Sequence, residues 1–342
     1  MNADQRKEGL ALPRIGTVIR DVYRRPGADA VPAHLEDRYG IIVDKATRLA
    51  PGVYRVDRRD GPAWVARAHL TARPAERARD DAGVLRLLES RGIRAERCAH
   101  PEPVSELGGR AILVTEFVPG RPWPGTTASV RELGRLLGQI HSLVTEDGPS
   151  QRPAGSLHHL PAYEGGPGQD LAAANAMLAD LDGRVPAEHL AVYESLLQLT
   201  VRGDDCSGLP ESFVHPDPVR VNAIATADGP VLVDWTGAGR GPRLASLAVL
   251  LQSEGPLNAL AVMRGYAEYQ QLTAEEIDRL EGALWIRPLW LAAWQCWLAV
   301  VSAKVNRSHV PDGTRIAALA ASVRAACRDL RQRGGPDGQD GP

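Results

Sequence analysis

The chain has 342 residues, 44% of them apolar and 24% charged, close to the proportions of ordinary soluble globular proteins. Collagen-like, mucin-like and wholly disordered chains are thereby excluded. Its 40 Lys and Arg stand against 42 Asp and Glu, a formal net charge of −2, so there is no global basic field of the kind nucleic-acid binding needs.

At roughly 150 residues per domain, the length suits one large two-lobed domain or two domains sharing a cleft. Only Lys7, Lys45 and Lys304 are lysines, so a mechanism that wants a lysine has few to draw on. Cys98, Cys206, Cys296 and Cys327 are far apart, with no CxxC pair and no zinc-type spacing, and are expected to be reduced, mostly buried thiols. The opening MNADQRKEGLALPRIG has no apolar run long enough for a signal-peptide core, so a cytoplasmic location is expected. The run at 288–303 (PLWLAAWQCWLAVVSA) contains Gln295 and is shorter than the ~20 residues a span needs, which predicts a buried helix and no membrane partner.

Residues 1–39 form a polar N-terminal extension with a helix expected near 31–39. Around the Asp60-Gly61 turn, 49–57 and 63–69 read as a strand pair, with a Pro51-Gly52 loop before the first strand. Residues 75–91 carry Val84, Leu85, Leu87 and Leu88 among charges, a helical rhythm ended by Gly92. A buried strand, 110–118, stops at Pro119-Gly120. The composition of strands, one helix and a further strand predicts a compact α+β lobe over 40–118. Beyond it the pattern turns helical: 129–143, with Ser129 and Glu132 in the form of a capping box, then 170–181 and 186–201 after a Pro/Gly-rich loop at 149–168. Strand and loop return between 209 and 242, and 244–331 is helical in pattern. The larger unit spans 119–333, and 334–342 is expected to be a disordered tail.

The chemistry concentrates in Val214-His-Pro-Asp-Pro-Val-Arg-Val-Asn222, followed twelve residues later by Asp234 at the end of an apolar strand. Two carboxylates and a carboxamide at strand–loop junctions can orient a hydroxyl and hold a divalent cation, the parts that phosphoryl transfer requires. Asp217 can accept a hydroxyl proton, and Asn222 and Asp234 offer hard oxygen ligands suited to Mg²⁺.

This HxDxxxxN string, with the apolar strand and Asp-Trp that follow it, resembles the Brenner motif and metal-binding Asp of the aminoglycoside phosphotransferase and choline kinase family. The resemblance covers residues 40–330. It extends to the lead-in Leu209-Pro-Glu-Ser-Phe-Val-His, the segment after Asp234, helix 131–143 and the hinge-like Val114-Thr-Glu-Phe-Val-Pro-Gly120. It implies a protein-kinase-like, two-lobed fold and transfer of the γ-phosphoryl group of ATP, with GTP as an alternative, to a hydroxyl on a small molecule. By that carry-over Asp217 is the catalytic base, Asn222 and Asp234 are the Mg²⁺ ligands, and Glu116, Phe117 and Val118 form the purine hinge. Arg67 takes the place of the usual phosphate-binding lysine and Asp81, or Asp80 in the other register, that of its acidic partner. Gly52 belongs to the phosphate loop.

Three departures stand out. Arg67 replaces lysine, Pro216 follows His215 where glycine is common, and Ser246 stands where a second acidic residue often braces the catalytic loop. The resemblance leaves open an antibiotic-inactivating enzyme, a biosynthetic kinase or a catalytically impaired nucleotide-binding module. Glu268, Glu275, Glu276, Asp278 and Glu281 read as a solvated acidic face, and Trp285, Trp290, Trp294 and Trp297 as core. His141, His158 and His159 are given no catalytic role.

Overall fold

The computed structural model describes residues 30–71, 73–144, 148–155, 166–302 and 309–333. Most of the N-terminal extension, the tail from 334 and the pair His158 and His159 lie outside the described residues.

Five antiparallel strands form the N-terminal sheet in the order β1-β2-β3-β5-β4: Val43–Ala50, Val53–Arg58, Trp64–Ala68, Arg110–Glu116 and Val104–Leu107 for β1, β2, β3, β5 and β4. The β1 and β4 strands go beyond the sequence expectation, because neither carries the alternating apolar pattern of a half-buried strand: β1 is exposed over most of its length. Gly52, at φ 75°, follows Pro51 in the two-residue turn joining β1 to β2, the Pro-Gly order that a type II turn favours. One face of the sheet is covered by α1 (Ala30–Tyr39), which buries Val31 and Leu35 against Tyr54, Val56, Trp64 and Ala66. Helix α2 (Ala75–Ser90) turns Val84, Leu85 and Leu88 toward the larger core.

The larger part is helical. Its first helix, α3 (Thr127–His141), is capped by Thr126, whose hydroxyl accepts the Ser129 amide at 3.3 Å. The expected cap at Ser129 is thus displaced by one turn, and Glu132 pairs instead with Arg135 at 2.6 Å. Helix α3 packs against α7 (Ala259–Tyr266) with almost no space between backbones. A Cβ on Gly134 would lie 2.2 Å from the Val262 carbonyl oxygen, and one on Gly265 1.9 Å from that of Arg131.

Helices α4 (Pro167–Asp180), α5 (Ala187–Leu199) and the C-terminal half of α8 (Ala274–Ser302) enclose a second core around Met177, Leu196, Trp290 and Trp297. Helix α8 is long and apolar enough to cross a membrane by length and composition, yet 61% of its most apolar window is buried within the protein. Helices α6 (Arg243–Glu254) and α9 (Gly313–Arg333) complete the larger core. One member of the expected acidic face is buried: Glu276 meets Arg243 at 2.8 Å and exchanges capping bonds with Thr273 at the start of α8.

Between α5 and α6 lie the short strands that carry the chemistry. Strand β7 (Glu211–Val214) pairs with β10 (Gly239–Pro242), and β8 (Ala223–Thr226) lies between β6 (Arg121–Pro122) and β9 (Gly229–Leu232). Cys206, Cys296 and Cys327 are buried and free, and burial pushes the Cys206 thiol up to about 12.

Candidate active site

Residues 215–222 leave β7 as a loop whose shape is fixed from within. The Asp217 amide donates to His215 Nδ1 at 3.0 Å, and His215 Nε2 donates to the Val233 carbonyl at 3.2 Å. Both ring nitrogens are therefore used with the proton on Nε2. Burial lowers the His215 pKa below that of an ordinary histidine and keeps the ring neutral. The ring meets Trp235 edge-on at 4.5 Å, and Trp235 stacks on Phe213. Ser246 donates to the His215 carbonyl at 2.7 Å, so the residue that replaces an acid still braces the loop, as a donor to its backbone.

Asn222 closes the loop. Its Nδ2 donates to the Asp217 carbonyl at 2.9 Å and to Asp217 Oδ2 at 3.2 Å, while its own carbonyl accepts the Val233 amide at 2.9 Å. That last bond brings Asn222 within one residue of Asp234. With its nitrogen engaged by Asp217, the side chain has its Oδ1 to offer as a hard donor. Asp234 is in the left-handed region at φ 67°, a conformation costly for residues with a Cβ and concentrated at functional sites. The donor set of Asn222 Oδ1 and the Asp234 carboxylate fits Mg²⁺, which usually takes one or two protein oxygens and completes its shell with water and phosphate.

Arg67 and Asp81 do not form the expected pair. Arg67 Nη1 lies 2.9 Å from Asp234 Oδ1, and Nη2 lies 3.9 Å from Glu96 Oε1. Burial opposes the Arg67 charge, but Asp234, Glu96 and the more distant Asp81 hold its pKa above the ordinary arginine value. Asp81 is buried between Arg73 (2.6 Å) and Arg152 (2.5 Å) and accepts the Gly237 amide at 3.1 Å. It therefore joins α2 to the segment after Asp234 and reaches Arg67 only through space. Asp80 pairs with Arg77 at 3.3 Å. An arginine two residues before the helix and another in a Pro/Gly-rich loop converge on Asp81 through the tertiary fold, which explains why spacing along the chain misassigned its partner.

Glu96 is the acid that sequence reasoning missed. It is buried, accepts the Asp234 amide on Oε1 at 2.8 Å and accepts the Thr115 hydroxyl on Oε2 at 3.0 Å. A parallel bridge between Ala95 and Leu232 places it there, and nothing in the local pattern of 93–99 announces it. Gly52 lies next to Val53, which is in register with Arg67, and its carbonyl accepts the Ala68 amide at 2.7 Å. At the hinge position the Glu116 and Phe117 amides donate to the Arg97 and Ala63 carbonyls at 2.8 and 2.9 Å, and Arg55 lies over the Phe117 ring at 4.2 Å.

The second missed residue is Arg287. It projects from α8 and its Nη1 contacts Asp217 Oδ1. Its signal was available: it is a lone charge in the apolar run Ala283-Leu-Trp-Ile-Arg-Pro-Leu289, and a charge in such a setting needs a partner or a function to hold it there. The next residue, Pro288, has no amide to give to the Leu284 carbonyl, and Gln252 Nε2 from α6 fills that place at 2.7 Å. Arg287 and Gln252 both line a cavity beside the 215–222 loop, together with Pro216, Ser246, Val249 and Asp170.

Residues 48–284 match the phosphotransferase enzyme family known as APH. No curated protein sequence gives a significant match. Among solved structures, the spectinomycin phosphotransferase APH(9)-Ia in complex with ADP and spectinomycin is similar at a TM-score of 0.60 and 14% identity, covering 88% of this chain and 94% of its own. Amicoumacin kinase hAmiN, in complex with AMP-PNP, Ca²⁺ and its substrate, is similar at 0.58 and 16%, covering 94% and 98%. The choline kinase LicA from Streptococcus pneumoniae is similar at 0.53 and 13%, covering 89% and 98%. These likenesses share the protein-kinase-like fold. With the family match extending over more than half of its residues, the chain belongs to the phosphotransferase enzyme family, whose members transfer phosphate to hydroxyl groups.

Proposed function

We propose that this protein transfers the γ-phosphoryl group of ATP to a hydroxyl on a small molecule, in the presence of Mg²⁺. The observation that carries this reading is the joining of Asp217, Asn222 and Val233 by hydrogen bonds into one unit ending at Asp234. A proton acceptor and two hard oxygen donors are thereby held side by side. Asp217 orients the acceptor hydroxyl and takes its proton as the acceptor oxygen bonds to phosphorus and the bond to ADP breaks. Asn222 and Asp234 would hold the metal, which when bound neutralises charge on the β and γ phosphates. Arg67, beside the Gly52 turn, binds the phosphates. Glu116 to Val118 meet the purine.

Two observations support this arrangement. Ser246 keeps a brace on the loop without an acid, and the nucleotide complexes among the similar structures are consistent with a nucleotide donor. A thermal-shift titration with Mg-ATP and Mg-GTP, on the native protein and on Asp234→Asn, tests the reading, because a ligand that binds only the folded state raises its stability. A magnesium-dependent shift abolished in Asp234→Asn is expected. The absence of a shift with either nucleotide, in a folded sample, would refute it.

One observation favours a second reading, a nucleotide-binding module with impaired transfer. Arg67 is paired with Asp234 itself, so a cation bound there has to compete with a guanidinium. Nucleotide binding without ADP release on any hydroxyl acceptor would select this reading. Within the active reading, a gain of host resistance to aminoglycosides and related drugs on expression separates an antibiotic-inactivating enzyme from a metabolic kinase.

A further inference from the structure

Asp217 has both carboxylate oxygens engaged: Oδ2 by the Asn222 amide and Oδ1 by the Arg287 guanidinium. The Asn222 bond belongs to the loop itself. The Arg287 contact comes from α8, and Arg287 lies beyond residue 284, where the family match ends. The Arg287 guanidinium occupies the side of Asp217 Oδ1 from which an acceptor hydroxyl would donate. For an acceptor hydroxyl to reach Oδ1, something has to draw this cation aside.

The cavity shows what can do so. Pro216 of the loop and Ser246, which braces it, line this cavity beside Arg287. Its walls are mostly apolar, and the other polar groups near the loop are committed: the Ser246 hydroxyl to the His215 carbonyl, the Gln252 amide to Leu284, and the two His215 nitrogens to the backbone of Asp217 and Val233. Arg287 is the only arginine or lysine among the described lining residues, and a guanidinium presents a planar fork that matches carboxylate and phosphate. Asp170 is the one carboxylate among those residues, in the first turn of α4.

We propose that Arg287 is the acceptor-specificity residue, and that the acceptor is a small hydroxyl compound carrying an anionic group, of the hydroxy-carboxylate class, whose anion takes the guanidinium from Asp217. This inference rests on the kinase reading above and deepens it. Transfer is then linked to the acceptor's charge. A hydroxy acid supplies both the anion that releases Asp217 and the hydroxyl whose proton Asp217 receives, while the phosphoryl group passes to the acceptor oxygen and ADP leaves. An amine-bearing alcohol brings a second cation to Arg287 and leaves Asp217 paired.

The test uses the full chain, with Mg-ATP, as wild type, Arg287→Gln and Arg287→Lys. ADP release is measured with no acceptor and with a panel of hydroxy-carboxylates, each matched to its uncharged amide and to an amine-bearing alcohol of similar size. In the wild type, turnover is expected with hydroxy-carboxylates and not with their amides. In Arg287→Gln the preference for the acid over its amide falls at least about tenfold, the loss of roughly one charge-assisted bond, and acceptor-free ATP hydrolysis rises because Asp217 is unpaired. Arg287→Lys retains part of the preference. Equal use of acid and amide by the wild type, or an Arg287→Gln variant with unchanged preference and unchanged hydrolysis, would overturn the inference while a normal Mg-ATP thermal shift left the kinase reading standing. If the wild type shows no Mg-ATP shift, the kinase reading fails and this inference falls with it.

Discussion

Glu96 accepts the backbone amide of Asp234 at 2.8 Å, so this aspartate is held through its main chain by a carboxylate from the segment between α2 and β4. The same carboxylate accepts the hydroxyl of Thr115, one residue before the hinge. Removing it releases an amide in a left-handed conformation and takes an acid away from Arg67. Glu96→Ala is expected to lose about 1.5–3 kcal/mol of stability, the range for hydrogen bonds to a charged group, and to weaken nucleotide binding. Glu96→Gln, which keeps an acceptor oxygen, loses less. Denaturant unfolding and a nucleotide titration on the two variants measure this, and equal losses in Ala and Gln would assign the role to the negative charge rather than to an acceptor oxygen.

Asp217→Asn removes the proton acceptor while preserving shape and the carbonyl that receives the Asn222 amide. Turnover is expected to fall by about 10²–10⁴, the usual contribution of general acid–base catalysis, with the Mg-ATP thermal shift retained. Loss of nucleotide binding and turnover together would contradict the division of labour between Asp217 and Asp234.

Acid sensitivity follows from buried histidines. Burial first, and then the nearby charge of Arg243, lower the His141 pKa to about 3, and burial lowers that of His215 as well. Below an ordinary histidine value of about 6.5 the unfolded chain takes up protons that the folded chain refuses, so stability falls as pH drops. His141 alone contributes a slope of about 1.4 kcal/mol per pH unit, continuing until the folded protein also protonates near pH 3. Asp81 acts lower: burial would raise its pKa, but Arg73 and Arg152 hold it down, so its contribution is present above the ordinary carboxylate range and lost only as pH falls through the depressed value. Between pH 6.5 and 5 the histidines therefore dominate. Melting temperature against pH is expected to be flatter in His141→Gln across that window, and an unchanged profile would show that His141 is protonated in the folded state.

The contact between α3 and α7 has no room for a methyl group at Gly134, where a Cβ meets the Val262 carbonyl at 2.2 Å. Gly134→Ala is expected to destabilise by about 1–3 kcal/mol, as overpacking does, although alanine is the better helix former. A thermal melt decides it: a more stable variant would mean that the two helices can move apart at no net cost.

The catalytic loop was legible in the sequence because its parts are local. Asp217 and Asn222 are five residues apart and hydrogen-bonded to each other, and Asp234 follows just after the short hairpin of β8 and β9. The hairpin at Asp60-Gly61 and the helices were legible from turn residues and periodicity. What was not legible depends on distant pairing. Glu96 is 138 residues from the amide it holds, and Arg152 is 71 from Asp81. Strands β1 and β4 have little apolar alternation because sheet hydrogen bonding and edge position define them. The capping error at Ser129 arose because Thr126 and Ser129 are both good caps, and the hydroxyl three residues earlier satisfies the amide of the later one.

The brace and the clamp on the 215–222 loop also order events during synthesis. Arg287 follows its partner Asp217 by 70 residues, a delay of about 4–14 s at translation rates of about 5–20 residues per second. Ser246 is made within that interval. A nascent chain therefore carries the HxDxxxxN string, already shaped by His215 and Asn222, for several seconds before Arg287 exists, and ribosome-bound intermediates ending before residue 287 have an Asp217 that lacks this clamp. The residue proposed for acceptor discrimination arrives last, on the part of α8 that extends past the family's common segment.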